Sequence, residues 1–129
     1  MQSGPTAYNK GWNAYSKIGD IGSPMSPSLA IVFLEENMAT LNDGFLQVND
    51  NGAGGGDYWP DIPGSYHTWE CGISFADSHV EMHKWQTSAL KIPIQAGKGY
   101  DSGGAVPVVT GGPKNQDYIW WVQHTSTRD

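Results

Sequence analysis

The clearest alternation of apolar and polar positions along the chain lies in residues 71–85. It continues on both sides of Asp77-Ser78, which is typical of two antiparallel strands joined by a two-residue hairpin loop. We therefore predict a β-hairpin with its loop at these two residues. The pairs across it are then Ala76 with His79, Phe75 with Val80, Ser74 with Glu81, Ile73 with Met82 and Gly72 with His83.

That register separates the side chains into two faces, because successive residues of a strand point to opposite sides. The face predicted to lie on the core carries Cys71, Ile73, Phe75, Val80 and Met82. The opposite face carries small residues against His79, Glu81, His83 and Trp85. A shift of one residue would mix the two sets, so the pattern favours this register.

Three other segments predict regular structure. Residues 29–34 form a continuous apolar run between turn residues, which indicates a central strand buried on both faces. Residues 45–48 follow an Asn-Asp-Gly turn and predict a short strand antiparallel to the first. Residues 117–122 fit either a short helix capped by Asp117 or a strand, and their two tryptophans are expected to be buried in both cases.

The composition is that of one folded domain. The chain has 129 residues, 38% of them hydrophobic, and its six Trp, six Tyr and three Phe can fill a core. We predict a single domain over residues 1–129, of the α+β class and β-rich, with a small antiparallel sheet and long ordered loops. The formal charge of −6 argues against nucleic acid as a partner. The longest apolar run is too short to cross a bilayer, so we expect no membrane contact by this fragment.

Several short motifs follow one another in a recognisable order. Nine residues separate His67 from Asp77-Ser78, a spacing that resembles the His-x9-Asp-Gly signature of bacterial prepilin-type, type II secretion pseudopilin-like proteins. Other pieces stand in the order of that family: Pro27-Ser28 before an apolar strand ending in Glu35-Glu36-Asn37, an Asn-Asp-Gly turn, Trp-x-Asp-x-Pro at Trp59 to Pro63, His83-Lys84-Trp85, and Asp-x-x-Trp from Asp117 near Thr125. Together they span nearly the whole chain.

The resemblance implies a pseudopilin-head-like fold and a non-enzymatic subunit of a type II secretion or type IV pilus-related filament. Its partners would be other pseudopilin or secretion-system subunits. The full-length form would stand outside the cytoplasm, in the periplasm or at the cell surface, anchored to the inner membrane by an N-terminal methylated, hydrophobic helix. This sequence lacks that helix, so we expect a trimmed form or a free-standing relative.

One position departs from the signature. Ser78 stands where the signature has glycine. A positive φ costs a non-glycine residue about 1 kcal/mol. We therefore expect a turn other than the type I′ turn that favours glycine.

A catalytic alternative rests on the imidazole and carboxylate groups near the hairpin. These are His67, Asp77, His79 and His83. Such groups suit zinc and similar ions, and a bound ion could activate water for the hydrolysis of small esters or lactones. Ligands at alternate positions of one strand start about 6–7 Å apart, so pairs converge more easily than the whole set. The simpler interpretation is a solvated strand face, with His67 hydrogen-bonded to Asp77 or to a backbone carbonyl.

Calcium is the first cofactor to consider, and zinc the second. The candidate metal ligands are Asp43, Asp50, Asp57, Asp61, Asp77, His79 and His83. Hard oxygen donors in a glycine-rich stretch suit calcium, but the regular spacing of an EF-hand loop is absent, and solvated loop carboxylates explain the same pattern. The single thiol, Cys71, lies on the predicted apolar face, where burial would raise its pKa and leave it inert.

Overall fold

The computed structural model describes residues 11–41, 44–47, 58–59, 61–93, 108–109 and 115–127. In these ranges the elements are β1 (Ile31–Leu34), β2 (Tyr58–Trp59), β3 (Glu70–Phe75), β4 (Val80–Lys84), β5 (Val108–Val109) and α1 (Gln116–Thr125), with single-turn 3₁₀ helices at Ile18–Asp20 and Ser88–Leu90. The first sheet is antiparallel with the order β1-β3-β4, and β2 pairs with β5. The predicted combination of a small antiparallel sheet with helix is confirmed.

The hairpin between β3 and β4 is present, but its predicted register is wrong by one residue. The observed pairs are Glu70 with Lys84, Cys71 with His83, Gly72 with Met82, Ile73 with Glu81 and Ser74 with Val80. The Phe75 N–H donates to the His79 carbonyl at 3.0 Å, so the loop contains the three residues 76–78. Ser78 has a φ of 78°, the left-handed conformation of the residue that ends a three-residue hairpin loop. The turn is therefore of another type than I′, but it still holds the serine at a positive φ.

This shift changes which side chains of the second strand face the core. Cys71, Ile73 and Phe75 are buried, as predicted. Val80 and Met82 are 69% and 50% exposed, so their predicted burial is wrong. They lie on the outer side of the sheet because each is paired with a residue that points away from the core. The residues on the core side are instead His79, Glu81 and His83.

Strand β1 is an edge strand, so the predicted central strand buried on both faces is wrong. Ile31 is paired with Phe75 on the core side, whereas Phe33 is paired with Ser74 and is 74% exposed. The register shifts between the two β1 residues, which is the mark of a β-bulge. Residues 45–47 form no strand, and Val48 lies outside the described residues.

Helix α1 includes residues 117–122, for which the sequence allowed either a helix or a strand. The side chain of Asn115 caps it by accepting hydrogen bonds from the N–H groups of Asp117 (2.9 Å) and Tyr118 (3.2 Å), so the predicted cap at Asp117 is wrong. Trp121 is buried as expected, whereas Trp120 is only partly buried. No helix in the described ranges is long and apolar enough to cross a membrane.

The main core joins both sheets to α1. Its buried members are Ile31, Trp59, Ile62, Cys71, Ile73, Phe75, Trp85, Leu90 and Trp121. Edge-to-face packing of Trp59 on Trp121, with ring centroids 5.1 Å apart, connects β2 to the helix. A smaller cluster of Tyr15, Ile21, Met25 and Ala30 lies under the loops that precede β1.

Two distant parts of the chain meet beside the end of α1. The Asn13 N–H donates to the Thr127 carbonyl at 2.9 Å, and the Ser126 hydroxyl donates to the Asn13 carbonyl at 2.7 Å. The Tyr15 hydroxyl lies 2.9 Å from the Thr127 hydroxyl. We call this set of contacts the terminal clasp.

Candidate functional site

The four residues of the catalytic alternative lie in three separate settings. His67 contacts Glu35, Asp77 contacts His79, and His83 packs on Trp120. Hydrogen bonding of His67 to Asp77, the structural role considered from sequence, is not observed.

Asp77 and His79 form a local pair at the tip of the hairpin. The Asp77 carboxylate accepts from the His79 ring Nδ1 at 2.5 Å and from the His79 N–H at 3.1 Å. The side-chain hydrogen bond is the main reason that the pKa of Asp77 lies below its ordinary value. The His79 ring also stacks on Phe75, with centroids 4.3 Å apart and planes 4° from parallel. Both groups are therefore used to fix the loop conformation.

His67 belongs to the loop that leads into β3. Its Nε2 lies 3.2 Å from a Glu35 carboxylate oxygen, and both side chains are about half exposed. The two residues after it, Thr68 and Trp69, have positive φ values of 56° and 71°, which turn the chain back before the strand begins. His67 thereby joins this loop to the end of β1 rather than to the hairpin tip.

Cys71 is the buried thiol predicted from sequence. It donates to the Glu35 carbonyl at a Sγ to oxygen distance of 3.7 Å. Burial raises its pKa to about 11. At neutral pH the sulfur stays protonated, so it is not a nucleophile in the folded protein.

His83 lies in a group of aromatic rings that sequence reasoning did not identify. Its ring stacks on Trp120 with centroids 3.6 Å apart, and His124 stacks on the same tryptophan at 4.1 Å. Burial lowers the pKa of His83, and its buried Nε2 has no hydrogen-bond partner among the described residues. The spacing of Trp120 and His124, four residues apart on one helix, was the available signal for this group.

Asp117 is a carboxylate that accepts several hydrogen bonds from a distant segment. It is buried and accepts hydrogen bonds from the N–H groups of Gln86 (2.9 Å) and Thr87 (2.8 Å) and from the Thr87 hydroxyl (2.6 Å). It thereby ties α1 to the chain that follows β4. Sequence reasoning treated it as a helix cap and missed this role, because the partners lie about thirty residues away.

Of the seven candidate metal ligands, Asp43, Asp50 and Asp57 lie outside the described residues. Asp61 is buried, and its carboxylate accepts a hydrogen bond from the Gln47 N–H. Within the described ranges, no group of three or more His, Cys, Asp or Glu side chains is placed to hold a metal ion.

The motif-bearing residues that the structure describes therefore act mainly on one another and on the backbone. Another example is Trp85, whose indole N–H donates to the Gly64 carbonyl at 2.7 Å. Gly64 in turn donates to the Glu35 carbonyl at 2.6 Å, and a Cβ at this glycine would lie only 3.0 Å from the Glu35 Cβ. Comparison of the chain with protein-family models, curated proteins and solved structures finds no match.

Proposed function

We propose that this chain is the head of a pseudopilin-like subunit that assembles, outside the cytoplasm, with other subunits of a secretion or pilus-related filament. The observation that carries the proposal is the backbone of Ser78, which has a φ of 78° at the glycine position of the His-x9-Asp-Gly signature. Glycine is the residue best suited to that conformation. The hairpin thus has the geometry that a signature glycine would serve.

The packing of the other motifs supports a structural role for them. Trp59 packs on Trp121, Asp117 binds the backbone of Gln86 and Thr87, and the Trp85 ring is fully buried. Such contacts between distant segments hold the fold in one conformation. A subunit that assembles with neighbouring subunits needs a fixed surface of this kind.

The hydrolase alternative gains no specific support from the described residues. Its histidines are divided between Glu35, Asp77 and Trp120, so the arrangement does not direct them to one ion. Turnover of a panel of small esters and lactones, with and without a chelator, is the direct assay for it.

The assembly proposal is tested in the bacterium that encodes the chain. We expect deletion of the gene to reduce secretion or surface filaments, and the intact gene to restore them. A photo-cross-linking amino acid at Ile18, which is 67% exposed, should capture neighbouring subunits. The matched control is the same amino acid at Ile21, which is 8% exposed and should capture none. Unchanged secretion and filaments on deletion, together with no captured subunit, would refute the proposal.

A further inference from the structure

The outer edge of β4 presents backbone groups that can pair with another strand. The Phe75 N–H donates to the His79 carbonyl, and the Trp85 N–H donates to the Trp69 carbonyl, both at 3.0 Å. In an antiparallel ladder such bonds recur at every second residue. Residues 79, 81, 83 and 85 therefore bond inward to β3, and the backbone groups of Val80, Met82 and Lys84 point to the open edge.

Those outward groups make few contacts in the described part of the chain. Among the described residues, the Gln86 side chain donates a hydrogen bond to the Lys84 carbonyl at 2.8 Å, and that carbonyl can accept a second hydrogen bond through its other lone pair. The side chains of Val80 and Met82 stand exposed beside this edge. An exposed edge of this kind is a template for strand addition.

We propose that two copies of this chain pair in antiparallel fashion along β4, about a two-fold axis at Met82. Met82 then pairs with Met82 of the second copy, and Val80 pairs with its Lys84. All of these residues have outward backbone groups, so each is a hydrogen-bonded pair. The three-stranded sheets of the two copies then join into one six-stranded sheet, as expected for an isologous contact.

Side-chain pairing selects this register from its neighbours. Centring on Met82 places the Glu81 carboxylate of each copy opposite the His83 imidazole of the other, across a pair that lacks mutual backbone bonds, and a neutral imidazole has one ring N–H that can donate to a carboxylate. Centring on Glu81 would place two carboxylates directly opposite each other, which is unfavourable. Centring on His83 would instead pair Glu81 with Trp85, whose side chain is buried and whose indole N–H is already bonded to the Gly64 carbonyl.

The pairing also extends the apolar surface on the outer side of the sheet. In each copy Val80 and Met82 lie on that side with Phe33, which is 74% exposed. The two-fold axis brings the two Met82 side chains together at its centre. Because strand pairing alone buries little area, we expect a weak dimer that forms at high micromolar concentration, on the order of 100 μM.

Single cysteines test both the contact and its register. In a hydrogen-bonded antiparallel pair the Cα atoms are about 5.5 Å apart, which permits a disulfide. Met82→Cys should therefore cross-link to a dimer under mild oxidation. Val80→Cys should not, because its copies lie about 14 Å apart along the strands. The double variant Val80→Cys with Lys84→Cys should cross-link again. Unaltered protein is the control, since Cys71 is buried and does not react.

Sedimentation of the purified chain over a concentration series gives an independent reading. Met82→Pro removes an N–H group that points to the open edge and makes no hydrogen bond to β3. We expect this change to raise the dissociation constant at least tenfold. Phe33→Ser is the control, because it removes an even more exposed apolar side chain from the same side of the sheet, on β1, and should leave the constant unchanged. A monomer at every concentration, or cross-linking of Met82→Cys no greater than that of Val80→Cys, would overturn the proposal. Neither result depends on the proposed function, which is tested in cells.

Discussion

Ser78 has a backbone conformation that is unfavourable for a residue with a side chain. Its φ of 78° lies in the left-handed region, which costs a non-glycine residue roughly 1–2 kcal/mol. The Asp77 side chain supports the turn by accepting from the His79 N–H. The loop therefore holds its shape although the residue best suited to it is absent.

Replacing this serine by glycine should stabilise the fold. We expect Ser78→Gly to raise the free energy of unfolding by about 0.5–1 kcal/mol, because relief of the left-handed strain exceeds the extra entropy that glycine loses on folding. Chemical denaturation measures the change. Ser16→Gly, at an exposed loop position without a positive φ, is the control and should not stabilise. Equal effects at both positions would show that the loop strain is not the cause.

His83 makes stability depend on pH. Burial holds its pKa below the ordinary 6.5, so as pH falls below that value the unfolded chain takes up a proton that the folded chain still resists. The contribution is present above pH 6.5 and is lost as pH falls through the folded pKa. Replacement by phenylalanine keeps a ring against Trp120 and removes the titrating group.

We therefore expect His83→Phe to flatten the decline in the free energy of unfolding just below pH 6.5. The measurement is denaturant unfolding between about pH 7.5 and 5, at low protein concentration so that any dimer is dissociated. The difference between the two proteins isolates His83 from the other histidines. Parallel curves for both proteins would contradict the assignment.

At the scale of the elements, the hairpin shows what alternation in the sequence can and cannot determine. The pattern located both strands and identified Cys71, Ile73 and Phe75 as the buried face. It did not determine the loop length, because Val80 and Met82 are apolar but exposed. A third loop residue moves every side chain of β4 to the other face, and it is revealed by the observed strand pairs and by the αL conformation of Ser78.

Two phenylalanines on adjacent strands test the assignment of faces. Phe75 is 4% exposed and Phe33 is 74% exposed. We expect Phe75→Ala to cost about 3–5 kcal/mol of unfolding free energy, whereas Phe33→Ala should cost less than about 1 kcal/mol. Chemical denaturation of both variants provides the comparison. Similar losses for the two would mean that the outer side of the sheet is covered in the folded protein.

At the scale of the whole molecule, the parts that sequence reasoning missed are those held by distant contacts. The pairing of Tyr58 with Val109 joins segments about fifty residues apart, and neither two-residue strand has a pattern of its own. Asp117 was recognised as part of a motif, but its hydrogen-bond partners are about thirty residues away, and patterns of neighbouring residues cannot identify them. Composition and short motifs thus predicted one domain with a small sheet, and they could not predict how the motifs meet.

Loss of the Asp117 carboxylate should weaken the whole fold. We expect Asp117→Ala to cost about 2–4 kcal/mol, because it leaves two backbone N–H groups and a hydroxyl without their acceptor in a buried place. Thermal or chemical unfolding reports the loss. Gln116→Ala, at the exposed neighbouring position, is the control and should change stability by less than about 0.5 kcal/mol. A small effect of Asp117→Ala would show that α1 docks without this carboxylate.

The terminal clasp has a mechanical consequence. Because Asn13 and Thr127 are bonded to each other, a tension applied at these two residues loads their hydrogen bonds directly. The strands of the three-stranded sheet carry that tension only after the clasp has opened. We therefore expect the clasp, which consists of a few hydrogen bonds, to yield at a lower force than the hairpin.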